Sequence, residues 1–147
     1  MEHIKQISEN SILWTSLLAW LIAQALKVLW TVMVHKKLDL RRFVGAGGMP
    51  SSHTALVVSL ATSVGGEYGF DSPIFAIAII FALIVMYDAA GVRRAAGKQA
   101  AVLNDILERI HSGKDVPHEK LKELIGHTPI EVIAGAILGF IVSKIVL

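Results

Sequence analysis

Residues 12–34 read ILWTSLLAWLIAQALKVLWTVMV, and this stretch decides the fold class. Twenty-three residues at about 1.5 Å of helical rise each are enough to cross a bilayer. Trp14, Trp20 and Trp30 lie toward its two ends, as in an interfacial aromatic belt. Gln24 and Lys27 interrupt it and no basic segment precedes it, so it does not read as a cleavable signal peptide. The whole chain has the same character. Hydrophobic residues make up 54% of its 147 residues and charged ones 18%, with a mean hydropathy of +0.60, more apolar than an ordinary soluble domain.

Three further apolar runs follow. Residues 53–68 form a short one carrying Ser59, Thr62 and Ser63 and broken by Gly65, Gly66 and Gly69. The others cover 73–92 and 129–147, with Lys144 placed to snorkel to an interface. Residues 93–128 are polar. Within them Val102, Leu103, Ile106, Leu107 and Ile110 recur at helical spacing opposite Asn104, Asp105, Glu108 and Arg109. That pattern predicts an amphipathic helix ending at Gly113, on the membrane surface or against the bundle. A shorter helix is predicted from Pro117 to Ile125, stopping at Gly126. The expectation is an all-α integral membrane bundle, a single membrane domain over 1–147. It has about four membrane helices, the second marginal in length and open to a re-entrant reading, and an amphipathic cytoplasmic helix within the insertion 93–128.

Charge sets the expected orientation. Lys36, Lys37, Arg41 and Arg42, with Arg93, Arg94, Lys98, Arg109, Lys114, Lys120 and Lys122, account for eleven of the fourteen basic residues. The intervening turn, 67–72, carries Glu67 and Asp71 and no basic residue. Four spans put both basic segments on one side, cytoplasmic by the positive-inside rule, with both termini outside. The expected localisation is the cell membrane, multi-pass. A net charge of +2 gives no reason to expect nucleic acid, and the absence of cysteine removes disulfides, thiolate nucleophiles and Cys-based zinc sites.

At the same end lies Gly47-Gly48-Met49-Pro50-Ser51-Ser52-His53-Thr54. Glycines free the backbone, Pro50 sets a turn, and Ser51 or Ser52 can cap the next helix, so that backbone N–H groups and a partly positive helix end surround one point. The topology adds Lys27, Arg93, Arg94 and His127 to this face. Such a set suits phosphoryl transfer: cations neutralise phosphate oxygens, one histidine attacks phosphorus with a carboxylate fixing its tautomer, and another protonates the leaving oxygen. It requires no metal, and no dense carboxylate cluster is available to hold magnesium. Plainer roles stand beside these: Ser51 or Ser52 as a cap only, Arg93 and Arg94 as membrane anchors, Asp88 as a partner for Lys27. Thr128-Pro129-Ile130-Glu131 is itself a capping box.

GGMPSSHTA (47–55), YDAAGVRRAAGKQA (87–100) and GHTPIEVIAGAILG (126–139) resemble the divergent branch of the type 2 phosphatidic acid phosphatase superfamily, which also includes vanadium-dependent haloperoxidases. The resemblance runs from about Gln24 to the C-terminus. It implies that Pro50-Ser51-Ser52-His53 matches the superfamily's Pro-Ser-Gly-His, with Ser52 in place of glycine. His127 would be the nucleophile, Glu131 its orienting acid in place of aspartate, and His53 the general acid. Leu121 occupies the position six residues before the nucleophile where the superfamily has arginine, which makes Arg93 or Arg94 the stand-in. Lys27 is the choice for the first-motif lysine, with Arg41 or Arg42 as alternatives. The implied activity is metal-independent hydrolysis of a lipid or prenyl phosphate or diphosphate through a phosphohistidine. The phosphate ligands would be Lys27, Ser51, Ser52, Arg93 and Arg94, with no metal or cofactor and with vanadate or phosphate able to occupy the site. The expected partners are membrane lipids and the lipid-phosphate substrate, with homo-oligomerisation left open. The alternatives are a catalytically inactive module that binds or moves lipid phosphates and a purely structural membrane protein.

Overall fold

A computed structural model describes residues 1–36, 48–111 and 127–147. Among them are six helices and no strand: α1 (Glu2–Ser8), α2 (Ser11–His35), α3 (Ser52–Tyr68), α4 (Pro73–Ala90), α5 (Val92–His111) and α6 (Pro129–Val146). The starts of the four helices α2, α3, α4 and α6 are written in the sequence. Asn10, Ser51, Ser72 and Thr128 each accept a hydrogen bond from a backbone N–H in the first turn of these helices, and Pro73 and Pro129 occupy first-turn positions that need no donor. The all-α membrane bundle expected from the sequence is what these helices form.

Two elements differ from expectation. The short α1 carried no apolar signal; the indole Nε1 of Trp14 ties it down by donating to the carbonyls of Ile7 and Ser8 at 3.2 and 3.1 Å. The amphipathic helix begins at Val92, only Gly91 separating it from α4. Its first half, with four alanines, two arginines, Lys98 and Gln99, is mostly strong helix formers without apolar periodicity, so propensity extends it despite Gly97 where pattern gives no sign. Gly113 and the helix expected over Pro117–Ile125 lie outside the described residues.

Among the described residues, three stretches are long and apolar enough to cross a membrane: Ser11–Met33, one starting at Pro73, and Pro129–Val146. The 17-residue α3 is not among them; it spans roughly 26 Å. Its position explains how it is tolerated. α2, α4 and α6 all pack against it, and Ser52, Thr54, Ser59, Thr62 and Ser63 are buried in the contacts. The facing side of α2 is likewise small or polar, with Thr15, Ser16, Ala19, Ala23, Gln24, Lys27 and Thr31 all buried, while Leu17, Leu21, Leu29 and Met33 point outward. A water-soluble protein would be arranged the other way round. In hydrocarbon the large apolar side chains belong outside, and small residues inside let backbones approach.

That approach is closest between α3 and α6. A methyl group on Gly135 would run into the carbonyl oxygen of Ser51, and one on Gly139 into that of Ala55. The Ser63 and Ser143 hydroxyls meet at 2.9 Å further along. Gly66, exposed on α3, has nothing within 4 Å of an added Cβ. Gly139→Ala is therefore expected to cost about 1–3 kcal/mol through overpacking. Gly66→Ala should be neutral or stabilising by up to about 1 kcal/mol from helix propensity. Thermal unfolding of both variants in detergent checks the contrast.

Candidate functional site

The site grows from the ends of α3 and α6 and the last turn of α4. Ser51 is fully buried at the start of α3; its Oγ accepts from the Thr54 N–H at 3.4 Å and from the Thr54 hydroxyl at 3.0 Å. The Ser51 N–H donates to the carbonyl of Glu131 at 3.0 Å, and the His127 N–H donates to the carbonyl of Ala89 at 3.0 Å. Two backbone bridges thus lock the Pro50–His53 turn to the first turn of α6, and the approach to α6 to the end of α4. The positive end of the α3 dipole falls at Ser51–His53, where an anion would be stabilised.

His127 and Glu131 are brought together directly. The ring Nδ1 of His127, a residue only 2% exposed, lies 3.2 Å from Glu131 Oε2. The same oxygen accepts from the Thr128 N–H at 2.9 Å, while Thr128 Oγ1 accepts from the Glu131 N–H at 3.4 Å. The capping box and the histidine contact therefore coexist on one carboxylate. Because an ionised carboxylate only accepts, the contact calls for the proton on Nδ1 and leaves the lone pair on Nε2. The His53 ring centre stands 6.4 Å from that of His127, the planes tilted by 60°.

Lys27 reaches the same end from α2. It is 1% exposed; its Nζ donates to Gln24 Oε1 at 2.8 Å and, at the outer limit of hydrogen bonding, to Ser52 Oγ at 3.5 Å. Asp88 sits in the last turn of α4, next to the Ala89 that receives His127. Arg93 and Arg94 belong to the first turn of α5, but the reading of their side chains as phosphate ligands lies outside what the structure describes. Arg41, Arg42 and Leu121 also lie outside the described residues. The structure thus gathers His53, His127, Glu131, Lys27, Ser51 and Ser52 at one end of the bundle.

Comparison with known proteins now identifies the lineage. The family model described as the Divergent PAP2 family matches residues 8–142. The chain belongs to that family. The branch named from the three sequence motifs is the branch found. Among curated proteins, this divergent PAP2 chain is 43% identical over 151 aligned positions to the uncharacterized membrane protein YuiD of Bacillus subtilis strain 168, covering 95% of this chain and 96% of the relative. No solved structure matches it. The family ties the protein to a phosphatase-related superfamily of membrane proteins.

Sequence reasoning passed over several groups in this divergent PAP2 site. Gln24 holds Lys27, and its only signal was a polar side chain three residues away on the same face of an apolar helix. Thr54 supports Ser51, and the carbonyls of Ala89 and Glu131 carry no residue-type signal at all. The carboxylate contact is testable apart from any activity. Nitrogen-15 NMR of the imidazoles is expected to find His127 in the Nδ1–H form. Glu131→Ala should lose that preference together with about 1 kcal/mol of stability from the broken cap.

Proposed function

We propose that the protein hydrolyses a lipid or prenyl phosphate or diphosphate without a metal, through a phosphohistidine at His127. The observation that carries this reading is the Glu131 carboxylate on Nδ1 of His127 beside the His53 ring. With Nδ1 protonated, Nε2 of His127 is the nucleophile. It forms the N–P bond as the phosphorus–oxygen bond to the lipid breaks, and His53 delivers its proton to the departing oxygen. Water then attacks the phosphohistidine and gives a proton to His53, releasing phosphate and restoring both rings. Lys27, the α3 N-terminus and the Ser51 and Ser52 hydroxyls bind the phosphate oxygens, with Arg93 and Arg94 adding positive charge. Charge concentrated on a buried site is more effective than the same charge in water.

A second reading, an inactive module that binds lipid phosphates, draws on one observation. Ser52 stands where the superfamily has glycine, and its buried hydroxyl lies against the lysine that would meet the phosphate. Phosphate release from a panel of phosphatidate, phosphatidylglycerophosphate and prenyl diphosphates separates the two. His127→Ala should lower kcat by at least about 1,000-fold, and His53→Ala by roughly 100- to 10,000-fold. Wild type and both variants at one common background would leave the binding reading. In that case vanadate or phosphate should still raise the melting temperature, and Lys27→Met should abolish the rise.

The site faces the cytoplasm in this reading, where newly made lipids are met in the inner leaflet. Eleven of the fourteen basic residues fall in the sequence segments 35–52 and 93–128, which the positive-inside rule assigns to the cytoplasmic side. The chain lacks cysteine, so a single Gly45→Cys substitution reports the side cleanly. An impermeant maleimide is expected to label it only after the cells are opened; labelling of intact cells would reverse the orientation.

A further inference from the structure

On the outer surface of the bundle, α2 and α6 enclose an apolar groove of about 370 Å³, within the size range of sites for single small ligands. One wall is Leu26, Leu29, Trp30 and Met33, spaced i, i+3, i+4, i+7 along α2. Ala134, Ile137, Leu138 and Ile141 repeat the same spacing on α6. Each stripe covers two turns, so the trough runs for roughly 10 Å. No charged side chain lines it, and Met49 and Pro50, just ahead of α3, complete the lining.

Pro50 and Leu26 connect this groove to the polar site. Pro50 is followed directly by Ser51 and Ser52, both buried against the polar site, and Lys27 is the inward-facing neighbour of Leu26 on the same turn of α2. The apolar lining thus adjoins, residue to residue, the hydroxyls, the lysine and the α3 N-terminus. We propose that the α2–α6 groove holds one hydrocarbon chain of a lipid whose phosphate lies at Ser51, Ser52 and Lys27. This rests on the lipid-phosphate reading above and makes the protein selective for the tail as well as the headgroup. The occupant follows from polarity: an amphiphile with its anion at the lysine has its first methylenes at Pro50 and the rest along the two stripes. Met33, Met49 and the leucines are adaptable enough to follow a chain of any saturation. A headgroup without a chain would leave the groove to bulk lipid and gain nothing from it.

The test uses the purified full chain in phosphatidylcholine vesicles. Two photoreactive probes, a phosphatidate and a phosphatidylcholine, carry a diazirine on the same acyl carbon. After illumination, peptide mapping is expected to show the phosphatidate probe on the two stripes about tenfold more than the phosphatidylcholine probe, with equal labelling on the outer face of α4. Ala134→Trp, which fills the trough, should erase that excess. It should also lower the ratio of kcat/KM for dioleoyl phosphatidate to that for phenyl phosphate by about tenfold. Ile137→Ala, which widens the trough, is expected to move the ratio less and serves if the tryptophan variant does not fold. Equal labelling by both probes would mean an ordinary lipid-facing surface, and crosslinks to a second copy would mean a protein interface; each overturns the proposal. Headgroup-selective labelling of the stripes with no phosphate release would uphold the groove while refuting hydrolysis.

Discussion

A helix that carries Ser52, Thr54, Ser59, Thr62 and Ser63 on its packed faces is a poor tenant of hydrocarbon, and the whole bundle is arranged around hiding it. Each hydroxyl left in lipid without a partner costs on the order of a few kcal/mol. α3 therefore takes the centre, and α2, α4 and α6 present their small and polar residues to it. Gly135 and Gly139 let α6 come close enough that backbone meets backbone. Large apolar side chains are displaced to the lipid face, where they are solvated by acyl chains. Interior polarity is thus a condition of the fold before it is a feature of any chemistry.

The site is what this arrangement produces at one end. Because α3 and α6 touch along glycines, the Ser51 N–H can reach the Glu131 carbonyl, and the cap of one helix is fastened to the first turn of another. The His127 backbone is fastened in turn to Ala89. Glu131 and the Ser51 and Ser52 hydroxyls stand at helix starts, Lys27 stands within α2, and His127 lies just before the Thr128 cap of α6, held by its backbone bond to Ala89. Preorganisation of this sort is what a phosphoryl-transfer site requires, because charge develops faster than a membrane protein can rearrange.

Much of this was legible in the chain. Apolar run length marked three of the four expected runs as long enough to cross a membrane, α3 falling short, while Ser, Thr and Pro marked helix starts and the order of three motifs named the lineage. The family resemblance paired His127 with Glu131, and the Thr128–Glu131 capping box was readable from residue types alone. What escaped has a common physical origin. The Ser51–Glu131 and His127–Ala89 bridges use backbone groups, which every residue possesses, so no residue type announces them. Gln24 looked like a blemish in a lipid-facing helix until Lys27 was seen to donate to it. α5 starts earlier than its apolar pattern because Ala, Lys and Gln extend a helix by propensity without marking a face.

The central position of α3 also bears on how the protein is made. α2 leaves the ribosome ahead of the other long helices and is apolar enough to settle in the bilayer alone, whereas α3 enters next with only the α2 seam of Ala19, Ala23 and Lys27 to shelter it. α6, the last helix to be synthesised, brings both the remaining wall of that shelter and His127 at its threshold. A nascent chain arrested before residue 127 therefore exposes hydroxyls to lipid and lacks both His127 and Glu131. The shelter of α3 and the His127–Glu131 pair arrive together at the C-terminal end of the bundle, so a cell that clears poorly sheltered membrane helices would clear chains lacking that pair by the same criterion.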